Sequence, residues 1–318
     1  MLDKENKQEM LYWADLLGTP VSESTENLKF FEVNEVKIIG LLPEMLLIVR
    51  SVVARETFSL RRKSIDLIKR GLLISFQNVF NDQTNQPIAS QELLQQRPHV
   101  RISPVHLESE VIFPKEINIK QIIILVELDY LKKFIGNDNN QFDYLFKEEK
   151  TFLIEEFMSP DIANIVNEVA AETSAIILSD AYYRLKSLEL LYHLFKNLSG
   201  RQHITHQNLS NYEIKVIYKV RDQISSSLYE PFAQDDLVKM SGMNVIKLRK
   251  LFMQVFGKGL YDYYQHLRMQ EAARLMKQER LSVSEAAYKL GFTNVSHFGR
   301  LFERYFGIKP KKWMSQKL

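Results

Sequence analysis

The alternation of hydrophobic and polar positions divides the chain into three stretches. Between residues 30 and 130, apolar and β-branched runs recur at short spacing, at 36–41, 46–53, 72–80, 100–107, 111–113 and 121–128. Breaks fall at Pro43, Gly71, Asn81-Asp82, Pro87, Pro98, Pro104 and Pro114. Short runs bounded by turn residues predict strands. Several at this spacing predict a sandwich or small barrel. From about Asp129 the period becomes helical. Ile162, Ile165, Val166, Val169, Ile176 and Ile177 fall mostly on one stripe, and Leu185, Leu188, Leu191, Leu194, Phe195 and Leu198 on another. Gly200 marks a stop for the second of these helices. Residues 201–212 are polar and read as a linker. The predicted domains are 1–200, β-rich to about 130 and helical over 131–200, and 213–318.

After Tyr212 the pattern is helical throughout and contains a repeat. Residues 237–245 match 286–295, and 251–257 match 301–307. Gly242 and Gly291 are 49 residues apart, whereas Asn244 and Asn294, Phe252 and Phe302, and Gly257 and Gly307 are 50 apart, so the second turn carries one extra residue. Each unit has a short helix, a glycine turn, an Asn able to cap, and a second helix ending in Phe-Gly. That order predicts two helix-turn-helix units, at about 234–256 and 282–306. Gly242 and Gly291 suit the left-handed conformation that stops a first helix. Asn244 and Asn294 suit the cap of a second. Ser282 with Glu285 forms a capping-box pattern.

In the second helices Leu248, Leu251 and Phe252, and their counterparts Phe298, Leu301 and Phe302, recur at the spacing that faces inward. The outer faces keep Lys247, Arg249 and Lys250 in one unit and Ser296, His297, Gly299 and Arg300 in the other. Between the units, Leu260–Gln278 contains no Pro or Gly and predicts one long helix. Its span is about 28 Å at ~1.5 Å per residue. Adjacent major grooves on one face of DNA lie about 34 Å apart. A rigid helix of this length suits two recognition helices in successive grooves.

Residues 212–316 resemble the DNA-binding domain of the AraC/XylS family of bacterial transcription regulators. The stretches that carry the resemblance are 283–292 (Val-Ser-Glu-Ala-Ala-Tyr-Lys-Leu-Gly-Phe) and 296–310, which ends in Phe306-Gly307-Ile308-Lys309-Pro310. They cover about a third of the chain with the flanking repeat. Gly299 stands where the family often has a longer polar residue. The resemblance implies base contacts from Ile246, Arg249, Lys250, Ser296, Gly299 and Arg300. Arg249 and Arg300 lead this set, because a planar guanidinium reads guanine bidentately. It implies phosphate contacts from Asn244, Lys247, Asn294, His297, Lys309, Lys311 and Lys312, which fix position without reading sequence.

The order of strands then helices in residues 1–200 is similar to the cupin-type sensory domain of the same family. The expected class is α+β, a β-rich cupin-like or jelly-roll domain followed by helices, and then an all-α domain. The resemblance implies a small-molecule effector, with Arg50, Arg101 and His106 as polar anchors of the lining. It also implies an operator of double-stranded DNA, contact with RNA polymerase, and an effector-responsive activator. Pairing of two chains is implied through a helix bearing Tyr182, Leu185, Leu188, Leu191 and Phe195. For that stripe a core helix of its own domain is an equal expectation.

Charge sharpens the division. Residues 213–318 hold 19 Lys and Arg against 10 Asp and Glu, while the first 212 residues hold 23 against 29. A net charge of +9 on the last third and −6 on the rest suggests an anion-binding module joined to something else. With 45% hydrophobic and 25% charged residues, disorder and fibrous classes are excluded. The absence of cysteine excludes a disulfide framework, a thiolate zinc site and a cysteine nucleophile. It also argues against an enzyme with a helix-turn-helix appendage of the methyl-acceptor kind. No signal peptide or membrane span is read, so the expectation is a cytoplasmic protein with no cofactor and no enzymatic activity. Control by protein partners without a small ligand stays open beside the effector reading. His106-Leu107-Glu108 and His203-x-x-His206 read as ordinary surface groups rather than metal ligands. Gly257-Lys258-Gly259 is too short for a phosphate loop.

Overall fold

The computed structural model describes residues 31–65, 67–77, 98–147, 150–171, 177–202, 204, 206–226 and 228–315. The chain forms two compact units that divide between Asn211 and Tyr212.

The first unit is built on a six-stranded antiparallel sheet. Its strands are β1 (Phe31–Leu42), β2 (Met45–Ala54), β4 (Gly71–Gln77), β5 (His99–Pro104), β7 (Asn118–Glu127) and β8 (Ile154–Phe157). They are ordered β1-β2-β7-β4-β5-β8. A two-stranded sheet pairs β3 (Phe58–Arg62) with β6 (Ser109–Phe113). The run Ile122–Val126 in β7 is apolar at every position because this central strand is covered on both faces. Both sheets are antiparallel, as a cupin-like β domain requires.

One face of the large sheet carries Leu47, Val49, Ile74, Phe76, Val100, Ile102, Ile122, Ile124 and Ile154, and packs under helices. These are α1 (Leu128–Ile135), α2 (Asp143–Phe146), α3 (Pro160–Ala171) and α4 (Ser179–Ser199). From α3, Ile162, Ile165, Val166 and Val169 are all buried, as their stripe predicts. From α4, Leu190, Leu191, Leu194, Phe195 and Leu198 join the same core. Lys186 on α4 bridges Glu168 on α3 and Glu189 on its own helix.

Three features depart from the pattern reading. The helical stretch 131–200 is interrupted by β8, which extends the sheet beyond β5. β3 is a strand that no apolar run announced, since Ser59, Arg61 and Arg62 break it. Residues expected as a linker are fastened to the first unit. There Arg201 pairs with Glu156 at 2.7 Å and donates to the Glu155 carbonyl. Lys150 donates to the His206 carbonyl, and the Leu209 amide donates to the Thr151 carbonyl. Leu209 is buried, and His206 stacks on Tyr144 with ring centroids 3.9 Å apart. The end of the run 72–80, the breaks at Asn81-Asp82 and Pro87, and Ile176 and His203 lie outside the described residues.

The second unit is helical. It comprises α5 (Asn211–Ser226), α6 (Gln234–Ser241), α7 (Val245–Phe256), α8 (Leu260–Gln278), α9 (Val283–Lys289), α10 (Val295–Phe306) and α11 (Pro310–Ser315). The bounds of α6–α7 and α9–α10 coincide with the two predicted helix-turn-helix units. The long helix α8 spans the 19 residues that lack Pro and Gly.

Candidate nucleic-acid interface

The first helix-turn-helix unit closes around Leu237, Leu248, Leu251, Phe252, Val255 and Phe256, all buried. Gly242 stops α6 in the left-handed region at φ 64° and donates its amide to the carbonyls of Val238 and Lys239. Asn244 then caps α7, its side chain accepting from the Lys247 amide at 2.9 Å. Buried apolar positions fix the roll of α7, so the opposite side of its first turns is turned outward. Ile246, Lys247, Arg249 and Lys250 are exposed there, Ile246 at 77%. Arg249 donates to the Gln234 side chain at 2.6 Å, which holds its guanidinium near the start of α6. Lys247 pairs with Glu213 of α5 at 2.9 Å, so part of its charge is already answered.

The second unit repeats this design with stronger capping. Ser282 accepts from the Glu285 amide at 3.2 Å, and Glu285 accepts from the Ser282 amide at 2.7 Å. The hydrogen bonds from Ser282 hold the exposed Glu285 carboxyl below the usual carboxylate range. Gly291 turns the chain at φ 76°. A Cβ there would lie 2.5 Å from the Tyr229 carbonyl oxygen, so no other residue fits without displacing backbone. Asn294 caps α10 by accepting from the His297 amide at 3.0 Å. Phe298 and Phe302 are fully buried, and Leu301 is half-buried. Ser296, His297 and Arg300 are exposed. A side chain at Gly299 would meet no atom within 4 Å, which leaves bare backbone on the outer surface of α10. Lys309, Lys311 and Lys312 are exposed around the start of α11.

Helix α8 ties the two units together. At its first unit end, Tyr263 packs against Phe252 and Phe256 with centroids 5.3 and 5.1 Å away. Tyr264 donates to the Glu230 carbonyl at 2.8 Å, just before α6. Toward the second unit, the Arg268 guanidinium lies 3.9 Å over the Phe292 ring and donates to the Leu290 carbonyl. Tyr305 of α10 donates back to the Asp262 carbonyl at 3.2 Å. Arg274 binds Glu271 and Glu279, and Lys289 binds Glu279 at 2.7 Å. The Lys289 hydrogen bond, followed by that from Arg274, holds the Glu279 carboxyl low. Sequence reasoning missed Arg268 and Tyr264, whose roles depend on contacts across 22 and 34 residues. The signal that could have found them is a run of aromatic and charged residues inside a helix with no polar face.

The remaining expected residues are placed as follows. On α4 only Leu185 of the five pairing residues is largely exposed, at 67%. Leu191 and Phe195 belong to the core of their own domain, with Tyr182 and Leu188 partly buried against it. The stripe is therefore mainly a core face, because its period marked burial without naming the partner. Arg50 and Arg101 share one face of the large sheet, whereas His106 lies exposed in the turn after β5. Among the described residues, no group of three His, Cys, Asp or Glu is placed to hold a metal ion. No helix among them is long and apolar enough to cross a membrane.

The profile of a family of helix-turn-helix domains matches residues 237–316. The transcriptional regulator GlxA of Rhizobium meliloti is 31% identical over 91 residues, which cover 29% of this chain and 28% of that protein. The transcriptional activator RhaR of Escherichia coli is 27% identical over 126 residues, covering 39% of this chain and 45% of that protein. The match thus spans less than half the length of these relatives. Among solved structures, a probable AraC family regulator from Rhodopseudomonas palustris aligns over 31% of this chain and 94% of its own, at 24% identity and a TM-score of 0.29. ToxT from Vibrio cholerae aligns over 85% of this chain and 98% of its own, at 15% identity and a TM-score of 0.30. Two capped recognition helices on one connecting helix, together with the matched profile, identify the C-terminal domain of this chain as a DNA-binding helix-turn-helix domain of the AraC/XylS family.

Proposed function

We propose that the chain is a sequence-specific transcription activator that reads two successive major grooves with α7 and α10 and answers a small effector bound in its β domain. The observation that carries this reading is the pairing of two outward-facing, capped helices on a single continuous helix. Its ~28 Å length approaches the groove repeat of about 34 Å. In this reading Arg249 and Arg300 read guanine edges, and Ser296 and Lys250 supply further hydrogen bonds. Ile246 offers an aliphatic surface suited to a thymine methyl. The bare backbone at Gly299 lets α10 seat closely. Asn244, Lys247, Asn294, His297, Lys309, Lys311 and Lys312 meet phosphates and set the register.

Pairing of two chains falls to the outer side of α4, where Leu185 and Tyr192 are exposed seven residues apart. RNA polymerase is the partner of an activator bound in this way. The test is selection of a binding site from random duplex DNA with the full chain. The reading expects two conserved blocks one helical turn apart. Binding to DNA with no sequence preference would overturn it.

A further inference from the structure

The first turn of α6 reaches the outer face of α7 through one side chain. Gln234 opens α6, and its Oε1 accepts from Nη2 of Arg249 at 2.6 Å. Both ends of this hydrogen bond are fixed by buried neighbours. The amides of Asp236 and Leu237 donate to the Ala233 carbonyl and start α6, and Leu237 is buried. On α7, Leu248, Leu251 and Phe252 are fully buried and set the roll of the helix. Gln234 is half-buried, whereas Arg249 is exposed. A long side chain with several rotatable bonds is thus tied at its charged end to the start of a neighbouring helix.

The acceptor is a neutral amide, and that choice matters. Arginine carries its N–H donors on a rigid planar fork and keeps its charge. The Gln234 oxygen takes one hydrogen of Nη2, and whichever one it takes, an edge of the fork with two parallel donors stays open. A carboxylate in the same place would answer the charge as well, as Glu213 does for Lys247 on the same recognition helix at 2.9 Å. The internal repeat supplies a comparison. Gln234 and Arg249 correspond to Val283 and Gly299 in the second unit. There both the cation and its holder are absent, yet the second unit closes around its own buried Phe298 and Phe302. A helix-turn-helix of this design therefore folds without the hydrogen bond, which points to a role in what the first unit reads.

We propose that Gln234 is a positioning residue that sets the base preference of the first unit, by holding the Arg249 guanidinium toward a single base pair. This rests on the reading of Arg249 as a guanine contact and names the side chain that makes the contact selective. Ordering a long side chain costs conformational entropy, and a side chain held before DNA arrives has already lost that freedom. An untethered guanidinium also reaches neighbouring phosphates and other base edges, and each alternative lowers discrimination at the intended pair. The tether removes those alternatives. It leaves the charge and one two-donor edge for the O6 and N7 acceptors of guanine.

The test is selection from random duplex DNA, position by position, with the full chain as parent, Arg249→Ala, Gln234→Ala, the double variant and Asp235→Asn. Arg249→Ala should flatten the preference at one base pair. Gln234→Ala should flatten the same pair, lowering discrimination there by about three- to tenfold, and leave the other positions as they are. The double variant should match Arg249→Ala, because Gln234 acts only through Arg249. Asp235→Asn alters an exposed neighbour on the same turn and should leave every preference in place. Should Gln234→Ala fail to fold, Gln234→Met keeps the length of the side chain without its amide and carries the same expectation. Unchanged preference in a folded Gln234→Ala or Gln234→Met protein, even loosening of the whole block, or a double variant less selective at that pair than Arg249→Ala would each overturn the proposal while Arg249 remains a reader. An Arg249→Ala protein that keeps its preference at every pair sinks the base-reading role of Arg249, and this proposal with it.

Discussion

The guanidinium of Arg268 lies 3.9 Å over the ring of Phe292 and donates to the carbonyl of Leu290, the residue that ends α9. One side chain from the connecting helix thus holds both the end of a first helix and the turn that follows it. Arg268 is 8% exposed and Phe292 6%, so this contact is made away from water. Replacing Arg268 by Ala removes a cation–π contact and leaves a buried carbonyl unanswered, a loss of about 2–4 kcal/mol. Arg268→Lys keeps the charge but cannot stack and fork together, and should recover only part. Denaturant unfolding of both variants checks this. Equal stability of Arg268→Ala and the parent would show that the contact does not hold the turn.

The two turn glycines should separate on substitution. Both have positive φ, 64° at Gly242 and 76° at Gly291, but a Cβ on Gly242 meets open space. Gly242→Ala should cost about 1–2 kcal/mol, the ordinary penalty of the left-handed conformation. Gly291→Ala carries that penalty and also drives a methyl group onto the Tyr229 carbonyl, so it should cost clearly more and disturb the loop before α6. Urea midpoints of the two variants decide the order.

The predicted helix-turn-helix domain was almost wholly legible in the sequence, because its determinants are local. Gly242, Asn244, Ser282, Glu285 and Asn294 act within four residues of where they stand, and all occupy the predicted cap or turn. Gly291 does so too, but the close approach of the Tyr229 carbonyl to it is a distant contact. What was hidden depends on distant contacts. β8 is only four residues long and gains its identity from pairing with β5. In α4 the periodicity marked burial for Leu191, Leu194, Phe195 and Leu198, which join the core of their own domain, but not for Leu185, which is exposed. Arg50 and Arg101 were legible as polar positions of the β domain, whereas the pairing of Arg101 with Glu155 was hidden because it forms only through the register of β5 and β8. Ile246, Arg249, Lys250, Ser296 and Arg300, proposed to read bases, are exposed and Gly299 is half-buried; whether they contact DNA is a matter for binding measurements.

The fastened segment after α4 should respond to pH. Burial, followed by the charges of Arg201 and Lys150, pushes His206 down to about 4 from an ordinary value near 6.5. The unfastened state binds the extra proton first, so the contact is at full strength above about 6.5 and weakens as pH falls toward 4. Histidine NMR resonances and protease cutting near residue 206 should report release over that window. His206→Phe keeps the stack on Tyr144 without a titrating group and should flatten the response. An unchanged pH profile in that variant would assign the effect elsewhere.

Reading and anchoring should be separable on DNA. Arg300→Ala should cost about 1–3 kcal/mol on the selected site and relax preference at one base pair. Lys311→Ala should weaken all sequences alike. With about six phosphates neutralised, log K against log salt should fall with a slope of roughly −5, and Lys311→Ala should make it shallower by about one. Equal losses by Arg300→Ala on selected and random DNA would remove Arg300 from the readers.

The central claim is that α8 holds two recognition helices at one fixed separation, and spacing tests it most directly. The full chain is titrated by fluorescence anisotropy with duplexes in which the two blocks of the selected site are moved apart by half a helical turn or by a full turn. A rigid connection tolerates neither, so both insertions should reduce affinity toward that of a duplex carrying one block. Tight binding to every spacing would mean that α7 and α10 do not read DNA as a fixed pair, and would contradict the account.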